Sequence, residues 1–236
     1  MYEASFDTLI PPVIFEDDDL LLVNKLPGLL SIPDGYDPAL PHLRKVLEPI
    51  HGSLWIVHRL DKDTSGVIVL AKNKEAHQKL NESFRYKQIE KKYHGLITPV
   101  PVWQEKTINL PLKVNADRKH RTRVSHNQGK AAHSFCCVQK RFELGALLEI
   151  QITTGITHQI RAHLRACNIV LFGDNLYNAG LPEMPLQFHR TMLHAQSIGF
   201  QHPTKGNWNN YIAPYPADFR EAYTRLRFTK ALDAKL

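Results

Sequence analysis

Apolar positions along the chain fall into short strand-like runs, interrupted by a few sets at helical spacing. The segment VIFEDDDLLLVNK, residues 13–25, sets two apolar runs around an acidic turn at 16–19 and predicts a β-hairpin. Turn dipeptides follow at Pro27-Gly28 and Asp34-Gly35. Leu40, Leu43, Val46, Leu47 and Ile50 predict a short amphipathic helix that Pro49 should fray or end. Residues 54–57 and 67–71 read as buried strands flanking the polar stretch 58–66. A polar loop held between two apolar strands is a natural seat for chemistry.

Asn73 is placed to cap a helix whose Ala76, Leu80 and Phe84 share one face. Residues 91–98 return to strand character, and 147–153 show partial alternation. A helix opens near Thr157 with Ile160, His163, Leu164 and Cys167 toward the core, which leaves Arg161 and Arg165 together on another face, toward a cleft. Residues 193–200 read as a strand, and Phe219, Tyr223 and Leu226 mark a closing helix at about 216–230. Strands outnumber helices and mix with them irregularly, so the expected fold class is α+β with a mixed, mostly antiparallel β-sheet.

The 236 residues, 43% hydrophobic and 22% charged, exclude wholesale disorder and fibrous repeats. No repeat, low-complexity tract or Gly/Ser linker marks a boundary, so one domain over 1–236 is expected. Apolar runs reach only about five residues against the roughly 20 that span a bilayer, so no membrane span is expected. The N-terminus has no basic stretch followed by an apolar one and does not read as a secretory signal, so a cytoplasmic location is expected. Cys136, Cys137 and Cys167 form no CxxC pair and read as reduced thiols. HExxH is absent, and the His158/His163 and His189/His194 pairs, five residues apart, cannot share a helix face, so no metal site is expected.

The formal charge is +7, and residues 113–141 account for all of it, with eight basic side chains against the single acid Asp117. Such concentration is the footprint of phosphate contacts and points to nucleic acid, against the plainer reading of a solvated basic loop. Within 58–66, Asp61 lies between Arg59 and Lys62, which keep a carboxylate ionised for nucleophilic or base chemistry. Taken alone, the residues leave three roles open: a catalytic Asp61, an Asp-rich turn, or an Asp61/Asp63 pair serving a metal or acid/base chemistry.

HRLDKDTSGVIVLAK, residues 58–72, closely resembles HRLDxxTSGxxxxAK, the catalytic motif of the RluA-type pseudouridine synthases, which isomerise uridine to pseudouridine in ribosomal and transfer RNA. VNKLPGLLSIP resembles VNKPxGLxxxP, KKYHGLI resembles KxYxAxV, and GKAAHSFCCV resembles GKxAxTxYxV. TTGITHQIRAHL is similar to TGRTHQIRxHL, and GDNLY with LHAQSIGFQHP is similar to GDxxY with LHAxxLxFxHP. The blocks keep family order from about residue 13 to 203. Departures are Ile156 where the family often has arginine, Gly95 where alanine is usual, and Ser134 where threonine is common.

The resemblance implies the pseudouridine synthase fold and Asp61 as the catalytic aspartate, which attacks C1′ of the target ribose or assists elimination to a glycal. It implies that Arg59 enters the RNA helix beside the flipped nucleotide, that Tyr93 packs on the base and takes the C5 proton, and that Arg161 pairs with the catalytic carboxylate. His58, Arg118, Lys119, Arg121 and Arg123 are the further expected RNA contacts, with His120 and His126 as extra donors. Isomerisation has no net redox change, so no cofactor is expected, and the partner is a structured rRNA or tRNA bound by a monomer. The small N-terminal S4-type domain of many relatives is not among the blocks, so target choice is expected from the catalytic domain. The rival readings are a metal-dependent RNA hydrolase using Asp61, Asp63 and histidines, and a non-catalytic RNA-binding protein on the same fold.

Overall fold

The computed structural model describes residues 9–229. The N-terminal stretch read above for a secretion signal lies largely outside the described residues, as does residue 230 at the end of the expected closing helix. The described residues divide into two compact units, one of residues 9–91 and 195–214, the other of residues 92–194 and 215–229.

The first unit opens with the expected hairpin, β1 (Val13–Glu16) and β2 (Leu20–Lys25), antiparallel with a bulge between Val13 and Phe15. Asp17 makes its turn: the side-chain Oδ1 accepts the amides of Asp19 and Leu20, both at 2.9 Å. Helix α1 (Leu43–His51) starts at His42, whose Nδ1 accepts the Lys45 amide, and it runs two residues past Pro49 before Gly52, at φ 76°, closes it on the Glu48 carbonyl. Pro49 therefore does not end this helix, and Leu40 lies outside it. The run at 54–57 contracts to a two-residue strand, β3 (Trp55–Ile56), on β4 (Ser65–Ala71). All seven residues of β4 are buried, as its unbroken apolar run requires of a strand covered on both faces. Helix α2 (Lys74–Arg85) starts as the sequence indicates, with Asn73 Oδ1 accepting the Ala76 amide at 2.9 Å.

Strand β5 (Glu90–Thr98) carries the chain into the second unit. There β6 (Glu105–Ile108), the short hairpin strands β7 (Leu112–Lys113) and β8 (Arg123–Val124), β9 (Ser134–Arg141) and β10 (Ala146–Ile152) follow. The order β5-β10-β9-β6 is antiparallel throughout, with Tyr93 opposite Ile150. Helix α3 (Gln159–Ala166) begins after His158, which adopts the left-handed conformation at φ 56°, and β11 (Val170–Leu171) returns to pair with β5. Strand β12 (Leu193–Gln201) re-enters the first unit, pairs with β13 (Trp208–Ile212), and α4 (Ala217–Phe228) closes the second.

Each unit has its own core. In the first, Leu20, Leu22, Val67 and Val69 meet Ala76 and Leu80 of α2 and Ile198 and Phe200 of β12. In the second, Leu96, Leu147 and Phe172 meet Phe219, Ala222 and Leu226 of α4, and a smaller cluster joins Leu112, Ala132, Ala162 and Tyr177. Among the described residues, no helix is long and apolar enough to cross a membrane.

Asn73 also donates from Nδ2 to Asp19 at 2.7 Å, tying α2 to the hairpin turn. Asn73→Ala should therefore lower the unfolding free energy by about 1–2 kcal/mol, and Asn73→Ser, which keeps a capping oxygen, by about half of that. Urea denaturation curves that coincide for all three proteins would remove this role.

Candidate active site

The loop that carries Asp61 is held by main-chain atoms of the segment after β2. Lys25 ends β2 fully buried, and its ammonium donates to the carbonyls of Leu26 at 3.0 Å, Leu29 at 2.8 Å and Lys62 at 3.0 Å. The Gly28 amide, in a conformation with φ 84°, reaches the same Lys62 carbonyl at 2.9 Å. Buried Ser31 accepts the Leu60 amide at 3.0 Å and donates to the Leu60 carbonyl at 2.9 Å. The Thr64 amide donates to the Asp61 carbonyl at 3.1 Å and closes the turn. Gly66 then starts the dense part of β4 at φ 119°; a Cβ there would lie 2.2 Å from the Ala195 carbonyl oxygen, so only glycine fits.

On this scaffold Asp61 is half-buried, while Arg59, Lys62 and Asp63 are exposed. His58 sits differently from the expectation of an RNA contact. Its Nε2 accepts the Val69 amide at 3.1 Å and its ring stacks on Phe84 at 4.8 Å between centroids. A nitrogen that accepts an amide cannot carry a proton, and burial, with the nearby Lys91 charge, lowers the His58 pKa to about 3. His58 is a neutral strut between the loop and α2. Lys91 Nζ lies 5.8 Å from the centroid of the same Phe84 ring, and burial brings its pKa down to about 8.

In the second unit Arg161 is fixed by a two-point fork: Nε donates to Asp174 Oδ2 at 2.6 Å and Nη2 to Oδ1 at 2.7 Å. Its guanidinium carbon lies 4.9 Å from the Tyr177 ring centroid. The Tyr177 amide donates to Asp174 Oδ1, and its hydroxyl donates to the Thr122 carbonyl and accepts the Thr122 amide. Thr122 in turn donates to the Thr157 carbonyl at 2.7 Å. The GDNLY block is thus the seat of Arg161. Gly173 lets the chain pass 1.8 Å, measured from where a Cβ would stand, from the Arg190 carbonyl oxygen.

The start of α3 is held by Gln159. Its Oε1 accepts the Thr154 hydroxyl and the Ile156 amide, and its Nε2 donates to the His133 carbonyl and to Ser134 Oγ. Fully buried His163 bridges Ser134 Oγ and the Leu110 carbonyl, each at 2.9 Å. Ser134 therefore supplies the hydroxyl that a threonine would. Ile156 packs in the cluster of Leu112, Ala162 and Tyr177. At Gly95 an added methyl would meet Leu171 Cδ2 at 2.6 Å, so Leu171 occupies the space an alanine would use. Tyr93 is 8% exposed on β5.

The basic segment is an ordered hairpin rather than a uniform charged loop. Asp117 Oδ1 accepts the amides of Lys119 and Arg121, and Oδ2 takes Arg121 Nε at 2.7 Å and Arg123 Nη2 at 2.8 Å. Its burial opposes ionisation, but these donors outweigh it and hold the carboxyl at about 2. Arg118, Lys119 and His120 stand exposed at the tip, with His120 at φ 54°. Lys140 and Arg141 lie apart from it, at the end of β9.

Among the described residues, Asp17, Asp19 and His202 bring ligand-type atoms within 4.8 Å of one another. Asp17 Oδ2 is already engaged by His202 Nε2 at 2.9 Å and Lys205 Nζ at 2.7 Å, and Asp19 by Thr204 and Asn73. Burial would raise the Asp17 pKa, yet Lys205 and the turn amides bring it to about 2. This cluster ties the hairpin turn to residues 202–205.

The α+β fold of largely antiparallel strands, with its aspartate loop and basic hairpin, is the fold of the pseudouridine synthase class. The profile of the RNA pseudouridylate synthase family matches residues 19–166, and the chain belongs to that family and is an isomerase. It is 34% identical to the uncharacterized RNA pseudouridine synthase YlyB of Bacillus subtilis over 94% of this chain and 76% of that one. It is 32% identical to the dual-specificity RNA pseudouridine synthase RluA of Vibrio parahaemolyticus, over 88% and 83% of the two chains. In fold it is similar to the human RNA pseudouridylate synthase domain containing 4, with a TM-score of 0.76 at 24% identity over 94% and 95% of the chains.

Residue spacing singles out Asp61, Arg59, Arg161 and the basic hairpin as candidates and places His163 in the core, but it marks none of Lys25, Ser31, Asp174, Tyr177, Gln159 or His163 as a polar anchor. All six stand inside the family-like blocks, which is the one signal that marks them. Lys25→Met should strand the buried Leu29 carbonyl, take a donor from the Leu26 and Lys62 carbonyls, and lower the melting temperature by about 6–12 °C, equivalent to about 3 kcal/mol. A melting temperature unchanged from the wild type would show the ammonium is dispensable. Because folded His58 resists protonation, it contributes stability above its ordinary pKa of 6.5, and that contribution drains away as pH falls toward about 3. Between pH 7.5 and 5 the wild type should lose about 2 kcal/mol more than His58→Gln in urea unfolding. Parallel pH dependences would contradict the neutral-strut assignment.

Proposed function

We propose that the chain isomerises particular uridines of ribosomal or transfer RNA, working as a cytoplasmic monomer with Asp61 as the catalytic group. The N1–C1′ bond breaks, uracil turns, and a C5–C1′ bond forms; C5 releases its proton and N1 gains one, so no electron donor or acceptor is consumed. Asp61 acts by attack on C1′ or by assisting elimination to a glycal. Tyr93 packs on the base and receives the C5 proton, and Arg161 keeps the carboxylate charged. Arg59, exposed on the same loop as Asp61, enters the RNA helix to fill the vacated stack, where extrusion of a paired base costs a few kcal/mol. Arg118 and Lys119 at the hairpin tip, with Arg121 and Arg123 behind them, take backbone phosphates.

The observation that carries this reading is the attachment of the Asp61 loop. Lys25 and Ser31 grip the main chain at Lys62 and Leu60, on either side of Asp61, and so fix the backbone that presents its carboxylate. His58, spent on the Val69 amide, is assigned to that support rather than to RNA.

Tritium release from RNA labelled at uridine C5, with rRNA and tRNA offered separately and a chelator present throughout, tests the proposal. The wild type should release tritium, and Asp61→Ala should release at least about 10³-fold less, the scale expected when a positioned catalytic group is lost. Chain cleavage, sensitivity to the chelator, or undiminished release by Asp61→Ala would overturn it.

A further inference from the structure

Helix α3 carries two arginines one turn apart, and the protein treats them differently. Arg161 is held by the Asp174 fork. Arg165 is also half-buried, yet its side chain has no hydrogen bond or ion pair with any described residue. It lines a cleft of about 280 Å³ within the second unit, whose opposite wall is Arg121, Thr122 and Arg123 of the basic hairpin. Those two hairpin arginines each direct one nitrogen to the same oxygen of Asp117, and no acid lines the cleft itself. Three guanidinium groups therefore answer to one carboxylate, an excess of two positive charges around a partly enclosed space.

Partly buried charge without a counter-ion is unfavourable, so such a space selects an anion. Guanidinium forks match a tetrahedral oxyanion in both charge and geometry. Mutual repulsion of the three cations rules out a metal ion there, and the Tyr177 hydroxyl is already committed to Thr122, which leaves the arginines as the donors. We propose that this cleft seats one phosphodiester of the RNA strand, with Arg165 as its principal donor and Arg121 and Arg123 closing on it from the hairpin. The inference rests on the RNA reading above and adds a backbone anchor on α3, outside the residues to which the chemistry is assigned.

The test uses the full chain and two ligands: substrate RNA, and a uridine-free single-stranded oligoribonucleotide that offers phosphates but no target base. Affinity is measured by fluorescence anisotropy across a KCl series for wild type, Arg165→Ala and Arg165→Lys, with a thermal melt of each as a folding control. Arg165→Ala should weaken binding of both RNAs by about 5–10-fold at low salt and reduce the slope of log affinity against log salt by about 0.7, the value for one phosphate contact on a single strand. Arg165→Lys should restore the slope and part of the affinity. Unchanged affinity and slope in Arg165→Ala would overturn the phosphate site, whatever the tritium assay shows. A reduced slope in a protein that releases no tritium would keep the site while removing the proposed reaction, and a wild type that binds neither RNA would remove both.

Discussion

A lysine ammonium sealed from water must find acceptors, and at Lys25 it finds three backbone carbonyls, as many as it has N–H bonds. Two of them are local, on Leu26 and Leu29, and fold the chain after β2 into a compact turn. The third, on Lys62, lies in the loop that presents Asp61. One buried cation thus sets the distance between two irregular segments that share no strand pairing. The grip is on main-chain atoms, so the Lys62 and Asp63 side chains are exposed while the loop's backbone is fixed. Loss of the cation would leave acceptors buried without donors, which is costlier than the bonds themselves are worth.

The second unit solves the same problem with side chains. Asp174 holds Arg161 in a fork, Tyr177 lies under the guanidinium, and the Tyr177 hydroxyl fixes Thr122 next to the hairpin. Gln159 and His163 tie the opening of α3 to residues 133–134 and to Leu110. Buried polar groups of this kind are each satisfied by a specific partner, and they define one geometry where apolar packing would tolerate several. The basic hairpin extends the principle to the surface, since one carboxylate, Asp117, orders both its turn and two of its arginines.

Periodicity made the strongest elements legible. The hairpin around Asp17, the helix capped by Asn73, the strand at 146–152 and the helix of Arg161 follow directly from apolar spacing and capping chemistry. The strands β6, β9 and β13 were not legible, because their sequences EKTI, SFCCVQKR and WNNYI alternate burial with few aliphatic residues to show it. Pro49 misled because α1 is nearly finished where it falls, so only one interior hydrogen bond is at stake. Asp61 and Arg59 were legible through a motif. The partners that hold them were not, since Lys25 and Ser31 act through backbone carbonyls and amides that no side-chain pattern reveals. His58 looked like part of the functional loop by adjacency, while its ring belongs to the packing of α2.

The first unit is discontinuous in sequence: residues 195–214 supply Ile198, Phe200 and Ala213 to its core, and Ala195 packs its backbone against Gly66. A ribosome making this chain must therefore add roughly a hundred residues after Lys91 before the cover for β4 exists, a wait of about 5–20 s at ordinary elongation rates. During that interval β4 is paired with β2 but lacks β12, its neighbour on the other side, whereas the second unit is emerging up to β11. The segment that bears Asp61 is thus translated early, while the core of its unit is completed late. The unit that holds the Asp61 loop therefore has no finished core until nearly all of the chain has been made.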